Sequence, residues 1–142
     1  VRFDGASTAS ALGLDILASA QTVVIAPSNP LVSIAPLRAL QGVDAALAKR
    51  RESVVAISPI IAGAALKGPA DRLMTELGHE SSVVGVAKLY APICGTLIID
   101  TADAHLASKV EAQGMRCVVV DTVMSTPEKS QHLARTTLES AR

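Results

Sequence analysis

The sequence has almost no aromatic side chains, since Phe3 and Tyr90 are the only two among 142 residues. It also has no excess of charge of either sign, because 13 basic residues balance 13 acidic ones. Proteins that bind nucleic acids carry a basic excess, and many of them stack bases on aromatic rings. Both features are missing here, so we expect no nucleic-acid partner.

Long apolar runs and paired cysteines are missing as well. The longest apolar stretch, residues 54–66, is interrupted by proline and glycine and is shorter than the roughly 20 residues that a membrane-spanning helix needs. No signal-peptide pattern precedes the first apolar run. Cys94 and Cys117 stand alone, without the spacing of metal ligands. We therefore expect a cytoplasmic protein with reduced thiols and no membrane partner.

Short aliphatic runs alternate with helical patterns along the chain. The predicted strands, which are continuously apolar like parallel strands buried on both faces, are residues 22–26, 53–58, 96–100 and 116–120. The predicted helices are residues 35–40, 43–50, 69–77, 82–90, 102–113 and 127–140. This alternation predicts a single α/β domain over residues 1–142, with a parallel, Rossmann-like sheet in three layers and helices on both faces.

The first strand is followed by the sequence APSNPLVSIAP. Its prolines, Pro27 and Pro30, fix two backbone angles, and Ser28, Asn29 and Ser33 supply hydrogen-bond donors and acceptors. We expect Ser33 to cap the helix that follows. Ligands of parallel sheets bind beyond the carboxyl ends of the strands, and helix N-termini attract anions. The junction is therefore either an anion-binding loop or a rigid turn that holds no ligand.

The second junction, SPIIAGAALKGPADR, runs from Ser58 into a helix that begins at Pro69. Gly63 and Gly68 would let the backbone approach a phosphate closely, and Lys67 would add a positive charge. The order of residues is not that of a P-loop, and a solvated lysine beside a capping glycine is the alternative. Two polar junctions on neighbouring strands favour an anionic ligand.

Aspartates lie at or just after the ends of the last two predicted strands. Asp100 and Asp121 are candidates for binding a metal ion or a ribose hydroxyl, or for a purely structural role. Asp103 is expected to be a favourable charge in the first turn of helix 102–113, which Thr101 would cap. No nucleophile elbow or catalytic triad pattern is visible, so the catalytic residues and metal ligands stay open.

These junctions, taken in order, resemble a known family. The segments PSNPLVSIAP, SPIIAGAALKGPADRLM, SSVVGVAKLY, LIIDTADA and VVVDTVM are similar to the carboxy-terminal half of the 2-phospho-L-lactate transferases, the CofD/FbiA family of coenzyme F-420 biosynthesis. The likeness extends from about Ala18 to about Ala134. It departs from the family where Ala35 replaces a glycine and where Ala64 replaces a basic residue.

The resemblance implies a transferase that moves a 2-phospho-L-lactyl group, or a related phosphoacid, to the deazaflavin precursor Fo. The donor would be a guanosine diphospho-linked compound, GMP would leave, and Mg²⁺ would assist. The residues that the resemblance assigns to substrate binding are Ser28, Asn29, Pro30, Ser33, Ser58, Gly63, Lys67 and Gly68.

The resemblance also implies that this chain is the carboxy-terminal part of a longer transferase. The amino-terminal half would carry the nucleotide loop and most of the metal ligands, so we expect residues 1–142 alone to be inactive. An open sheet without that half suggests a homo-oligomer. A nucleotide-sugar-binding regulatory module of comparable fold is the alternative, but such modules carry a glycine-rich loop where this chain has APSNP.

Overall fold

A parallel sheet lies at the centre of the fold. The computed structural model describes residues 2–6, 8, 13–65 and 68–141. Its strands are β1 (Val23–Ile25), β2 (Val54–Ile57), β3 (Ile60–Ile61), β4 (Ala64–Ala65), β5 (Thr96–Ile99) and β6 (Arg116–Val119). The parallel sheet has the order β1-β2-β5-β6, in which Leu97 of β5 lies opposite Ala56 of β2 and Cys117 of β6. The four predicted strands are confirmed.

Helices occupy most of the chain between these strands. They are α1 (Leu14–Ser19), α2 (Ala35–Arg38), α3 (Val43–Lys49), α4 (Ala70–Glu76), α5 (Val83–Tyr90), α6 (Ala107–Glu111) and α7 (Pro127–Glu139). A π-helix, Pro30–Ile34, precedes α2, and 3-10 helices precede β2 (Arg51–Ser53) and α6 (Thr101–Leu106). Within the described ranges, none of these helices has the length and apolar character of a membrane span.

The two central strands of the sheet, β2 and β5, are buried on both faces, which gives three layers. Leu97 of β5 belongs to a buried cluster with Met74 of α4, on one face. The next residue, Ile98, belongs to a second cluster with Leu133 of α7, on the other face. Successive side chains of a strand point to opposite faces of the sheet. A strand that is buried on both faces must therefore be continuously apolar. The predicted α/β fold with helices on both faces is confirmed.

The edge of the sheet at β1 is open. Among the described residues, no strand besides β2 pairs with β1. The side chain of Val24 is 42% exposed, and Ile16 and Leu37 nearby are 69% and 58% exposed. These residues line an apolar groove of about 730 Å³ beside the edge. An exposed apolar edge strand is a surface on which another polypeptide can pack.

Candidate functional site

A cleft of about 680 Å³ opens beyond the carboxyl ends of β1, β2 and β6. Three segments bound it: the junction after β1, the segment from β2 to α4, and the loop after β6. Its lining residues are Pro27, Ser28, Asn29, Val32, Ser33, Ser58, Pro59, Ile61, Gly68, Pro69, Ala70, Thr122, Val123, Met124 and Ser125. This is the edge at which parallel α/β sheets bind their ligands.

Asn29 shapes the first wall of the cleft. Its Oδ1 atom accepts hydrogen bonds from the backbone N–H groups of Leu31, at 2.9 Å, and Val32, at 3.3 Å. Asn29 is therefore the N-cap of the π-helix, which starts with Pro30. The expectation that Ser33 caps the next helix is wrong, because Pro30 favours the first position of a helix and starts it before Ser33 is reached.

The second wall begins at Ser58, directly after β2. The Ser58 hydroxyl lies 3.1 Å from the backbone nitrogen of Ile60 and 3.0 Å from its carbonyl oxygen, so it stabilises the turn into β3. The strands β3 and β4 form an antiparallel hairpin where the sequence predicted only a loop. At the hairpin turn Ala62 has a φ of 50°, a backbone conformation that alanine rarely adopts. Its N–H group donates to Asp103 Oδ2 at 2.9 Å.

Asp100 connects β5 to the third wall. Its Oδ1 atom accepts from the Ala102 N–H group at 2.9 Å, and its Oδ2 atom accepts from the N–H group of Thr122 at 2.8 Å and from the Thr122 hydroxyl at 2.9 Å. The prediction that Thr101 caps this helix is wrong, because Asp100 occupies the N-cap position. Burial raises the pKa of Asp100, but the hydrogen bonds from Ala102, Thr122 and Thr101 outweigh it and hold that pKa below its ordinary value.

Asp121 is paired rather than free. Its Oδ2 atom lies 2.7 Å from the ammonium group of Lys129 on α7, and its Oδ1 atom accepts from the Val123 N–H group at 3.0 Å. The hydrogen bond from Lys129, followed by that from Val123, lowers the pKa of Asp121. Both candidate aspartates therefore already have partners for both carboxylate oxygens. The described part of the chain contains no group of three or more His, Cys, Asp or Glu residues that could hold a metal ion.

Most of the predicted substrate-binding residues meet at the cleft. Those that line it are Ser28, Asn29, Ser33, Ser58 and Gly68. Pro30 is buried at the start of the π-helix and does not line it. Gly63 lies at the hairpin turn, where its carbonyl oxygen accepts from the Ser81 hydroxyl at 3.2 Å. Lys67 falls outside the described residues.

The third wall supplies lining residues that were not among the predicted substrate-binding residues. Thr122 is buried, whereas the side chain of Met124 is 52% exposed, and Val123 and Ser125 complete this part of the lining. Thr122, Val123 and Met124 belong to the VVVDTVM segment, residues 118–124, which begins in β6, and Ser125 follows it directly. Their position at a strand end would have been sufficient to include them.

The described lining combines apolar surface with hydroxyl groups and carries no charge. Val32 and Met124 are large, exposed apolar side chains, while Ser28, Ser33 and Ser125 offer hydroxyls. Among these lining residues there is no pair of a nucleophile and a base. The described cleft is therefore suited to binding and orienting a ligand with an apolar body and several hydroxyls.

Comparison with known proteins identifies the family. Residues 4–138 match the family model of the 2-phospho-L-lactate transferase CofD. The chain belongs to this family. A phosphoenolpyruvate transferase of Kitasatospora aureofaciens is 39% identical over 129 residues, which are 90% of this chain and 40% of that protein. The 2-phospho-L-lactate transferase of Methanosarcina barkeri is 40% identical over 121 residues, 85% of this chain and 38% of that protein.

A more distant member, the 2-phospho-L-lactate transferase of Methanocaldococcus jannaschii, is 32% identical over 126 residues, or 89% of this chain and 39% of that protein. The chain spans about two fifths of the length of these CofD relatives. The resemblance seen in the sequence is confirmed at the level of the family, which is one of transferases.

Proposed function

We propose that this chain is the carboxy-terminal part of a transferase that moves a 2-phospho-L-lactyl group, or a related phosphoacid such as a phosphoenolpyruvyl group, to Fo. The terminal ribityl hydroxyl of Fo attacks the phosphorus that bears the three-carbon acid. A new P–O bond forms, the bond from that phosphorus to the oxygen of GMP breaks, GMP leaves with the electron pair, and the proton of the attacking hydroxyl is released to water. The CofD match over residues 4–138 carries this proposal.

The chemistry of the cleft supports a role in binding the acceptor. Fo has a flat ring and a chain of hydroxyls, which suits a lining of exposed apolar side chains and serine hydroxyls. In our proposal the ring packs between Val32 and Met124, and Ser28, Asn29 and Ser33 bind the ribityl chain. A diphosphate would need positive charges, and the described lining residues carry none. The resemblance implies that Lys67, which lies outside the described residues, supplies a positive charge for the transferred phosphoryl group.

Magnesium does not fit the described residues of this chain. Hydrogen bonds and an ion pair already occupy Asp100 and Asp121, and Mg²⁺ would have to displace them. We therefore propose that Mg²⁺ and the guanosine diphospho-linked donor are bound by the rest of the transferase. The role of this chain is to orient the acceptor hydroxyl, and phosphoryl transfer depends strongly on such positioning.

The CofD relatives are longer than this chain, which bears on how a complete transferase would assemble. We propose that residues 1–142 alone have no transferase activity and act in the cytoplasm as part of a larger unit. The open edge at β1, with Val24 and the groove beside it, is the surface on which the rest of the transferase packs. In the isolated chain the same edge would pair with a second copy and give a homo-oligomer.

The experiment is a titration of this chain with Fo, followed by the fluorescence of the deazaflavin. We expect saturable binding that Asn29→Ala weakens by about tenfold, the equivalent of about 1.4 kcal/mol. Ser82→Ala is the matched control, because Ser82 also caps a helix, accepting from the N–H groups of Val84 and Gly85, but does not line the cleft. It should leave the affinity for Fo unchanged.

Three outcomes separate the alternatives. Loss of Fo affinity in Asn29→Ala alone supports acceptor binding at this cleft. Equal losses in Asn29→Ala and Ser82→Ala would attribute the effect to stability. An absence of saturable Fo binding by the parent chain would overturn the proposal, and binding of GDP in a parallel titration would then move the donor to this cleft.

A further inference from the structure

Two buried carboxylates on one short helix reach two different walls of the cleft. Asp100 is the N-cap of the 3-10 helix Thr101–Leu106, and Asp103 lies in its first turn. Their exposed fractions are only 5% and 2%. Asp100 accepts two hydrogen bonds from Thr122 in the wall after β6, whereas Asp103 accepts one from Ala62 in the hairpin after β2.

The order of the strands explains this arrangement. Since β5 lies between β2 and β6, the helix that follows β5 begins between the two segments that follow its neighbours. A carboxylate at its start can therefore reach one segment, and a second carboxylate one turn later can reach the other. Asp100 and Thr122 are 22 residues apart in sequence, and Asp103 and Ala62 are 41 apart.

Both carboxylates bind backbone N–H groups rather than side chains alone. Hydrogen bonds from N–H groups to an ionised carboxylate are about twice as strong as those between neutral groups. They also fix the course of the backbone itself. At Ala62 this matters most, because its positive φ of 50° is unfavourable for alanine and persists only where surrounding contacts hold it.

We propose that Asp100 and Asp103 are positioning residues, and that each of them fixes the position of one wall of the cleft. Asp100 holds the wall that contains Thr122 and Met124, and Asp103 holds the hairpin wall that contains Ile61. Neither acid lines the cleft, so both act through the backbone they bind. This role of the two acids does not depend on which ligand the cleft binds. Its consequence for Fo affinity rests on the proposed function.

The test measures amide hydrogen exchange by NMR in the full 142-residue chain. In Asp100→Asn the NH2 group of the asparagine replaces the oxygen that accepts from the N–H group and the hydroxyl of Thr122. The backbone amide of Thr122 should therefore exchange at least about tenfold faster, while that of Ala62 keeps its rate. In Asp103→Ala the backbone amide of Ala62 should exchange at least about tenfold faster, while that of Thr122 keeps its rate. Asp103→Asn retains an acceptor oxygen for the Ala62 N–H group and should restore slow exchange there.

The Thr122 side chain offers a second pair of variants. Thr122→Ser keeps the hydroxyl that donates to Asp100, and Thr122→Val removes it with little change in shape. We expect the loop after β6 to exchange at the parent rate in Thr122→Ser and about three- to tenfold faster in Thr122→Val, because one of two bonds to Asp100 is lost. The amides of Val55 and Ile98 in the core should not change in either variant.

Fo affinity gives the functional readout. It should fall about tenfold in Asp100→Asn and in Asp103→Ala, and Asp103→Asn should recover it. Faster exchange of Thr122, Ala62 and the core amides together would mean that the acids stabilise the whole fold, and would overturn the proposal. Faster exchange of one wall with parent-like Fo affinity would overturn it too. If the parent chain binds no Fo, the proposed function fails, and the exchange pattern alone decides whether each acid holds its own wall.

Discussion

Asn29 and Leu31 are joined by a hydrogen bond of 2.9 Å from the Leu31 N–H group to the Asn29 side chain. This bond satisfies a donor that the start of a helix leaves without a partner. It also ties the polar part of the first cleft wall to a buried residue, since Leu31 is only 8% exposed. The residue proposed to contact the ligand is thus also the residue that fixes the local backbone.

The first prediction concerns this cap. Asn29→Ala should lower the free energy of unfolding by about 1 kcal/mol, the usual cost of losing an N-cap side chain. Asn29→Asp keeps an oxygen for the N–H groups of Leu31 and Val32, so it should change the stability by only a few tenths of a kcal/mol. Urea denaturation of the three proteins at pH 7 measures both effects. Equal losses in the two variants would show that the amide group, and not the cap, stabilises this segment.

The second prediction concerns the acid stability that Asp100 confers. The pKa of Asp100 in the folded chain lies below its ordinary value of 3.8, so the folded state favours the ionised form. Its contribution to stability is therefore fully present above pH 3.8 and is lost as the pH falls through the lower, folded pKa. Asp100→Asn should be less stable than the parent at neutral pH, and the difference should shrink as the pH falls below about 4.

Urea denaturation of both proteins between pH 2.5 and pH 7 checks this expectation. A stability difference between the parent and Asp100→Asn that stays constant over the whole range would contradict the assignment.

The position of the cleft could be predicted from the sequence because it follows from general rules. The apolar run Thr96–Ile99 is buried throughout, and such runs predict parallel strands. Once the strands are parallel, their carboxyl ends define where ligands bind. These rules predict both the junction after β1 and the segment after β2 as parts of the site.

The details of the walls could not be predicted from the same patterns. Asn29 and Ser33 are both good capping residues, and only the start of the π-helix at Pro30 decides between them. The strands β3 and β4 have two residues each, which is too short for a periodic signal. The bonds of Asp100 to Thr122 and of Asp103 to Ala62 join distant positions, so they follow only from the order of strands in the sheet.

The third prediction concerns Gly85, which lies in α5 against the turn that precedes it. A Cβ atom at this position would lie 1.8 Å from the carbonyl oxygen of Glu80 and 3.1 Å from the side chain of Met74. Replacing glycine by alanine inside a helix normally stabilises it by about 1 kcal/mol. At Gly85 the sign should be reversed, with Gly85→Ala lowering the free energy of unfolding by about 1–3 kcal/mol because the turn must shift.

Thermal and urea denaturation of Gly85→Ala measure this effect. Ala87→Gly in the same helix is the complementary control, since it should lower stability through helix propensity and a small cavity without any steric clash. The Gly85→Ala variant should also alter the exchange of amides around Ser81, which the clash would move. An increase in stability on Gly85→Ala would show that the turn can yield at no cost.

The fourth prediction concerns the hydroxyl group of Tyr90. The side chain of Tyr90 is fully buried, and its oxygen has no hydrogen-bond partner in the described part of the chain. Burial raises the pKa of Tyr90, so the hydroxyl stays neutral in the folded protein. Removing an unsatisfied buried polar group relieves its desolvation penalty. Tyr90→Phe should therefore keep the parent stability or raise the free energy of unfolding by about 1 kcal/mol.

Tyr90→Leu separates the hydroxyl from the ring. It removes the same hydroxyl but also leaves space in the core around Cys94 and Leu97, so it should destabilise the chain by about 2–4 kcal/mol. Calorimetry on the parent and both variants gives the comparison. A loss of 1 kcal/mol or more in Tyr90→Phe, about the worth of one hydrogen bond, would mean that the hydroxyl has a partner in the folded protein.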